Sequence, residues 1–442
     1  MTNILAVGRA VRAAAPHDLL GTVRAAIIEH YEALRVELLM ADYSLTVLQP
    51  VTTLPHTAKP LPVDSTPEGR AFASQEPYGH YVSRDGAVDV HLPVTVRGDR
   101  LGILTVRLPH RRCTFATFEE LTELAELLGH EIVVADRDTD LYLQARRAER
   151  LTLAAETQWQ LLPGRACRRQ EYAIGAQLEP AYAIHGDNFD WSASAETLTL
   201  TVTNGMGEGI QASLLSNLAV NALRNARRAG IGIADQAALA DQAVYAQYGG
   251  AEYVSTVLIS FELATGRGHV VDAGSPQLWR QRGKTVEHIG FEAQLPLGMF
   301  DETPYTAQEF QALPGDRLIF VSDGVYGAVS GAGEVYGERA LARAIQAAGL
   351  LPAAAVPRAV LQDLTAYRAD ADADAHTDTD AEAEADAEAD AEADADAEAE
   401  AHARTEADDD ALVLCLDWFG RGSAAELNAH SRERVLREAG WI

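Results

Sequence analysis

The pattern of apolar and polar positions in the first third of the chain predicts a small mixed domain. Helical spacing of apolar residues alternates there with runs of strand period. The predicted elements are a helix over His17–Met40, strands over Tyr43–Leu48, Ala87–Val96 and Leu101–Leu108, and a helix from Phe115 to about Val134. The segment Arg97-Gly98-Asp99-Arg100 separates the last two strands and indicates a hairpin. We therefore expect an α+β domain over residues 18–135.

Residues 136–163 form a charged, helix-favouring stretch after this domain. Apolar residues recur from Leu151 to Leu162, and Pro163-Gly164 ends the stretch. The pattern predicts a long connector helix. Such a helix either pairs with a second copy of the chain, which would make a homodimer, or docks on the following domain, and the sequence leaves both open.

Residues 171–418 have the pattern of a larger domain of mixed strands and helices. The predicted strands are Tyr172–Leu178, Thr197–Val202, Tyr253–Phe261, His269–Asp272, Arg317–Val321 and Ala411–Leu416. The predicted helices are Ile210–Arg228, Ile233–Tyr248, Gly337–Ala348 and Ala354–Ala366. Helices in the middle with strands on both sides favour an α/β sandwich over an alternating barrel. Residues 419–442 follow as a C-terminal tail.

Residues 369–407 repeat alanine with aspartate or glutamate and interrupt this domain before its last strand. Nineteen of the 65 acidic residues lie between Asp370 and Asp410, beside a single arginine, so most of the net charge of −29 comes from this tract. A period of two does not give an amphipathic helix, and dense like charge keeps a segment solvated. We expect a loop insertion, since long surface loops add little closure entropy.

Composition excludes several classes of protein. Hydrophobic residues make up 47% of the chain, enough for packed cores, but no apolar run reaches the roughly 18 residues of a membrane span. We recognise no secretory signal at the start, and the three cysteines are too scattered for a disulfide framework. The sequence contains no cluster of basic residues of the kind that binds the phosphate backbone of nucleic acids. We therefore expect a cytoplasmic protein that binds neither nucleic acid nor membrane.

Four acidic or glycine-bearing motifs stand where predicted strands begin or end. They are His185-Gly186-Asp187-Asn188-Phe189-Asp190, Thr203-Asn204-Gly205-Met206-Gly207-Glu208-Gly209, Ser322-Asp323-Gly324 and Asp408-Asp409-Asp410. Carboxylates at strand ends can converge on hard divalent cations, which prefer oxygen ligands, and two such cations can activate water against a phosphate ester. Taken singly, each motif is also compatible with an ordinary turn, and the three consecutive acids with the end of the acidic tract.

In this order, the motifs resemble the phosphatase domain of the stage II sporulation protein E family, within the PPM (protein phosphatase 2C-like) phosphatases. The resemblance covers residues 171–418 and implies two central antiparallel sheets flanked by helices. Further matches are Gln158-Trp159-Gln160-Leu161-Leu162-Pro163, Tyr253-Val254-Ser255-Thr256, Asp272-Ala273-Gly274-Ser275-Pro276, Pro296-Leu297-Gly298 and Tyr336-Gly337.

The first domain is similar to sensor domains of the GAF type. The similarity rests on the order of its predicted elements and on the segments His91-Leu92-Pro93-Val94 and Leu101-Gly102-Ile103-Leu104. A structural or dimerising domain without a ligand is the alternative, and the sequence does not decide between them.

The resemblance to the phosphatases implies a site for two Mn²⁺ or Mg²⁺ ions. By position it makes Asp187 and Asp323 catalytic as well as metal-binding, puts Asn204 in place of the bridging carboxylate, and adds the carbonyl of Gly205 and Asp409, with Asp410 as the alternative to Asp409. The implied reaction is hydrolysis of phosphoserine or phosphothreonine on a protein, often an anti-sigma-factor antagonist of STAS type.

Asn204 departs from the family pattern. An amide oxygen can ligate a hard cation but brings no charge, so metal binding should weaken and the pKa of bound water should rise. Glu208, which stands where the family has histidine, would compensate in part. Two functions therefore follow: a metal-dependent protein phosphatase, or a catalytically weak or dead pseudophosphatase that regulates a partner by binding it.

Overall fold

The computed structural model describes residues 2–51, 59–82, 86–330, 333–377 and 410–421. These residues divide into two compact units. The first contains the described residues up to Leu151 together with Gly164–Arg169, and the second contains Thr152–Pro163 and the described residues from Gln170 to Arg421. Within these ranges, no helix combines the length and the apolar character needed to cross a membrane.

The first unit is an antiparallel sheet with helices packed on both faces. Its helices are α1 (Thr2–Ala13), α2 (Leu19–Tyr31), α3 (Pro67–Ser74), α4 (Phe115–Ala135) and α5 (Leu141–Ala145). Its strands are β1 (Arg35–Ala41), β2 (Val47–Pro50), β3 (Leu61–Pro62), β4 (Tyr78–Val82), β5 (Ala87–Val96), β6 (Asp99–Pro109) and the short β7 (Ala166–Arg168). The sheet order is β3-β2-β1-β6-β5-β4. Buried residues of α1, α2 and α4 share one core with alternate residues of β1, β5 and β6, and buried residues of α3 pack on the other face.

The predicted helix over His17–Met40 is wrong beyond Tyr31. α2 ends there because Glu32 adopts a left-handed conformation, with φ of 54°, and the chain continues as β1. Leu34 is 62% exposed, whereas Leu38 is buried as part of β1. A spacing of four is also a multiple of two, so the same apolar positions fit one face of a helix and one face of a strand.

The predicted strand over Tyr43–Leu48 is displaced toward β2. The buried carboxylate of Asp42 accepts hydrogen bonds from the backbone N–H groups of Ser44, Thr46 and Val47, at 3.2, 2.8 and 3.0 Å. These bonds fold residues 42–46 into a turn, because an aspartate can satisfy backbone donors that would otherwise join a strand.

The predicted hairpin and closing helix of this unit are confirmed. β5 spans the predicted Ala87–Val96, and α4 begins at Phe115 after Thr114, whose side chain accepts a bond from the N–H of Thr117. Arg97 and Gly98 join β5 to β6 with φ of 53° and 96°, as a two-residue turn with two left-handed positions requires. The GAF-type identity of this domain stays a prediction.

The predicted single connector helix over residues 136–163 is wrong. α5 ends at Ala145, and the next helix, α6 (Leu153–Leu161), starts after Thr152, whose side chain caps it by accepting a bond from the N–H of Ala155. The boundary between the two compact units also falls here, after Leu151. Charged composition favoured a helix, but a threonine N-cap marks a new helix start inside the stretch.

The second unit contains α6 and the remaining elements. Its other helices are α7 (Gly209–Arg228), α8 (Ile233–Tyr248), α9 (Asp323–Tyr326), α10 (Tyr336–Ala347) and α11 (Val356–Thr377). Its strands are β8 (Tyr172–Glu179), β9 (Asp187–Ala193), β10 (Thr197–Gly205), β11 (Val254–Glu262), β12 (Arg267–Ala273), β13 (Gln277–Arg282), β14 (Thr285–Ile289), β15 (Gln308–Gln311), β16 (Arg317–Val321) and β17 (Ala411–Trp418).

These strands form two antiparallel sheets that face each other. One has the order β15-β12-β11-β10-β9, and the other runs β14-β13-β16-β17-β8. Phe261 of β11 stacks on Trp418 of β17 with ring centroids 5.4 Å apart, which joins the inner faces. α7 and α8 cover the outer face of the first sheet, and α10 and α11 cover that of the second. The predicted α+β fold class and sandwich are confirmed.

Two predicted segments lie largely outside the described residues. The expected acidic insertion over residues 369–407 begins inside α11, which continues to Thr377, and the rest of it is not described. The predicted tail over residues 419–442 is described only as far as Arg421.

Candidate active site

Asp187 and Asn204 lie directly opposite each other at one end of the first sheet of the second unit. Antiparallel pairing of β9 with β10 sets Asp187 across from Asn204, and pairing of β10 with β11 sets Ser255 across from Asn204 on the other side. Directly opposed residues share one face of a sheet, so the three side chains form a row. Asp187 is buried, with 2% of its surface exposed.

Asp323 reaches this row from the other sheet. β16 ends at Val321, and Asp323 starts the short helix α9. Its Oδ1 accepts a short hydrogen bond from the amide Nδ2 of Asn204 and another from the N–H of Gly324 at 3.0 Å. The structure therefore brings Asp187 and Asn204, on two strands of one sheet, together with Asp323, in the helix that follows β16 of the other sheet.

Asp410 lies beside this cluster and holds the backbone that leads into β9. Its Oδ2 accepts hydrogen bonds from the N–H groups of His185, Gly186 and Asp187, at 2.7, 2.8 and 3.1 Å. Burial raises the pKa of Asp410 to about 6, against the opposing effect of these three donors. The expected alternative ligand is thus an anchor for the turn, while its neighbour Asp409 lies outside the described residues.

Ser322 fixes Asp410 relative to Asp323. The N–H of Leu412 donates to Oγ of Ser322 at 2.9 Å, and the N–H of Ser322 donates to the carbonyl of Leu412 at 3.1 Å. The start of β17 and the end of β16 are therefore joined by both backbone and side chain, immediately next to the two aspartates.

Two glycines of the motifs lie where an added side chain would collide with neighbouring atoms. A Cβ atom added to Gly186 would lie 2.2 Å from the carbonyl oxygen of Gly205, and one added to Gly205 would lie 2.2 Å from Oγ of Ser216. The hydroxyl of Ser216 in α7 donates a short bond to the carbonyl of Gly186. The carbonyl of Gly205, the expected metal ligand, is thus held next to the turn before Asp187.

Sequence reasoning missed a buried polar support beneath this turn. Nε2 of Gln158 on α6 donates to the carbonyl of His185 at 3.1 Å, and its Oε1 accepts from Nδ2 of Asn188 at 2.8 Å. Gln158 and Asn188 are both completely buried. The signal in the sequence is a glutamine on the apolar side of α6, since a buried amide must find hydrogen-bond partners.

An ion-paired cluster fixes the middle of β9. Asp190 accepts bonds from Nη2 of Arg224 at 2.7 Å and Nη1 of Arg227 at 2.8 Å, both on α7. Arg224 also donates to the carbonyl of Leu161 at the end of α6. The last acid of the first motif therefore has a structural partner in the described chain, rather than a place at the Asp187–Asn204–Asp323 cluster.

Glu208 is exposed to solvent, and the loop that contains Ser275 is bonded to α9. Glu208 is exposed at the N-cap of α7, where its side chain makes no capping bond. The carbonyl of Ser275 accepts a bond from the hydroxyl of Tyr326 at 2.9 Å, which ties the loop after β12 to α9. Burial raises the pKa of nearby Asp272 to about 6.

The donor types at the cluster fit a hard divalent cation, because they are carboxylates, an amide and a backbone carbonyl. Among the described residues, however, no three histidine, cysteine or acidic side chains lie close enough together to hold a metal. The nitrogen of Asn204, not its oxygen, faces Asp323. The described carboxylates are suitable ligands for such an ion, but too few of them lie together to bind it alone. The carbonyl of Gly205 and the side chain of Asp409 are the further oxygen donors that we expect.

Residues 194–381 match the family model of stage II sporulation protein E. A comparison with curated proteins gave no match. Among solved structures, the chain is similar to the phosphatase domain with a regulatory fragment of the cell fate determinant SpoIIE from Bacillus subtilis, at 17% identity and a TM-score of 0.42. That match covers 57% of this chain and 66% of that one, slightly less than two thirds of its length.

A second similar structure is the SiaA-PP2C domain of Pseudomonas aeruginosa, at 18% identity and a TM-score of 0.44, covering 60% of this chain and 94% of that one. At these values neither structure adds an argument about activity.

Proposed function

We propose that the chain is a metal-dependent protein serine/threonine phosphatase, because residues 194–381 match the family model of stage II sporulation protein E. The observation that carries the proposal is the convergence of Asp187, Asn204 and Asp323 from β9, β10 and α9. Two strands of one sheet and the helix that follows β16 of the other meet there, at one end of the sandwich.

In this proposal, Asp187, Asn204, the carbonyl of Gly205, Asp323 and Asp409 would hold two Mn²⁺ or Mg²⁺ ions. Bound ions of this kind lower the pKa of water and neutralise charge on a phosphate. The chain's own part is to fix the donors. Asp410 holds the turn before Asp187 through three N–H bonds, and Ser322, next to Asp323, accepts a bond from the N–H of Leu412 at the start of β17.

The substrate proposed is a protein that carries phosphoserine or phosphothreonine, with an anti-sigma-factor antagonist of STAS type as the specific candidate. The resemblance of the four motifs to the phosphatase family supports this substrate class. Control by the first unit as a sensor, homodimer formation and a cytoplasmic location belong to the same proposal.

The second candidate function is a pseudophosphatase that binds a partner protein without turnover. One contact favours it: the amide of Asn204 donates a hydrogen bond to Asp323 where the family has a carboxylate. An uncharged amide contributes less to metal binding than a carboxylate.

Hydrolysis of p-nitrophenyl phosphate and of a phosphoserine protein, with and without Mn²⁺, separates the two functions. We expect Mn²⁺-dependent release of phosphate that is lost in Asp187→Ala. Turnover no higher than that of Asp187→Ala, together with retained binding of a partner protein, would instead identify a pseudophosphatase.

A further inference from the structure

Asn204 makes a contact that a carboxylate at the same position could not make in the absence of metal. Its Nδ2 donates a hydrogen bond to Oδ1 of Asp323, and Asp187 lies directly opposite it on the adjacent strand β9. Two ionised carboxylates at this separation repel each other unless a cation or a proton lies between them. An amide instead supplies the missing donor, and a hydrogen bond to a charged acceptor is one of the stronger kinds.

The contact joins the two sheets. Asn204 is the penultimate residue of β10, whereas Asp323 follows β16. Asn204 is only partly exposed, and Asp187 beside it is buried. A bond in such surroundings is poorly replaced by water, so it contributes to the stability of the metal-free chain.

We infer that Asn204 takes the place of a cation between the sheets, so that this end of the sandwich is closed in the metal-free chain and divalent cations compete with the bond from Asn204 to Asp323. A cation that uses the oxygen of Asn204 requires the amide to turn over, which breaks this bond. Oδ1 of Asp323 must likewise give up the hydrogen bond from Nδ2 of Asn204 when it binds the cation.

Two costs therefore weaken metal binding: the absent negative charge and the broken hydrogen bond. The second alone corresponds to a roughly tenfold to hundredfold weaker affinity, from the usual strength of a bond to a charged group. This weakening rests on the proposed metal site, whereas the closed metal-free state does not depend on it.

The test compares the thermal unfolding of the full chain with that of Asn204→Asp and Asn204→Ala, in EDTA and in Mn²⁺. In EDTA we expect both variants to lower the Tm of the second unit by roughly 3–6 °C, with Asn204→Asp lower because it adds repulsion. In Mn²⁺ we expect Asn204→Asp to gain more Tm than the wild type, because it restores the negative charge and has no amide bond to break. Calorimetric titration should show tighter Mn²⁺ binding to Asn204→Asp.

Asn221→Asp is the matched control, because Asn221 is exposed on α7 and bonds only locally, to Asn217. Its effect on Tm should be the same in EDTA and in Mn²⁺. An unchanged or raised Tm of Asn204→Asp and Asn204→Ala in EDTA would overturn the inference. A lowered Tm in EDTA with no Mn²⁺ effect in any variant would uphold the closed metal-free state and contradict the proposed metal-dependent function instead.

Discussion

Nε2 of Gln158 donates a hydrogen bond to the carbonyl oxygen of His185, 3.1 Å away, although 27 residues separate them. The same side chain accepts a bond from Asn188, so one buried amide of α6 supports both sides of Asp187. The position of the first candidate ligand therefore depends on a residue outside the four motifs.

Replacement of Gln158 by alanine should reduce Mn²⁺-dependent phosphatase activity and lower the free energy of unfolding by about 1–3 kcal/mol, because two buried polar groups lose their partner. Urea denaturation and the dependence of kcat on Mn²⁺ concentration measure the two effects. Gln160→Ala is the control, since Gln160 is exposed on the same helix and bonds to Glu156. Equal effects of the two substitutions would contradict the role of Gln158.

Asp190→Ala should lower the free energy of unfolding by about 3–5 kcal/mol, because it leaves Arg224 and Arg227 without their common carboxylate in a largely buried position. Urea denaturation followed by tryptophan fluorescence provides the measurement. Glu262→Ala removes an exposed carboxylate that pairs with Arg267 at 3.2 Å, and should change stability little. A small effect of Asp190→Ala would mean that the paired arginines find other partners.

Gly186→Ala should destabilise the second unit by about 1–3 kcal/mol, because the added methyl group would overlap the carbonyl of Gly205 and the backbone would have to move. The displacement should also lower Mn²⁺ affinity, measured by calorimetric titration. Gly290→Ala is the matched control, since a Cβ there meets no atom within 4 Å. Unaltered Mn²⁺ binding by a folded Gly186→Ala variant would argue against Gly205 as a ligand.

Ionisation of Asp136 should destabilise the first unit as the pH rises from about 4 to 6. Burial raises the pKa of Asp136 from 3.8 to about 6, and Arg146 only partly opposes this. Because the folded chain binds the proton more tightly than the unfolded chain, the stabilising contribution is present below the unfolded pKa and is lost as the pH passes the folded pKa. The difference corresponds to about 3 kcal/mol at most.

Asp136→Asn should remove this loss and make the first unit more stable at pH 7. Urea denaturation at several pH values, followed by a probe in the first unit, tests the prediction. The same slope between pH 4 and 6 in wild type and variant would assign the titration to another group.

The strands that bear the candidate site were largely predictable, because they are apolar runs bounded by the motifs. β16, for example, is completely buried and stops just before Asp323. β9 was not predicted, since three of its first four residues, Asp187, Asn188 and Asp190, are polar and yet buried. Asn188 is held by Gln158, and Asp190 by Arg224. Polar residues with long-range partners interrupt the alternation on which strand prediction depends.

Within the site, the sequence placed Asp187, Asn204 and Asp323 at strand ends but could not give their contacts. That Asp187 lies opposite Asn204 is set by the register of β9 on β10, which short motifs do not encode. The role of Asp410 was also hidden, because an acid before a strand can face a cation or backbone N–H groups equally well. Their roles as metal ligands stay predictions.

The place of β17 in its sheet has a consequence for the order of folding. β17 lies between β16 and β8, and it is the last of the described strands along the chain. During synthesis, β8 and β16 emerge without the strand that separates them, and their unpaired edges stay available to each other or to other chains until Trp418 is made. The sandwich can therefore be completed only after nearly all of the described chain has been made. Its contact order is high, because the last described strand pairs with β8, which is far away in the sequence.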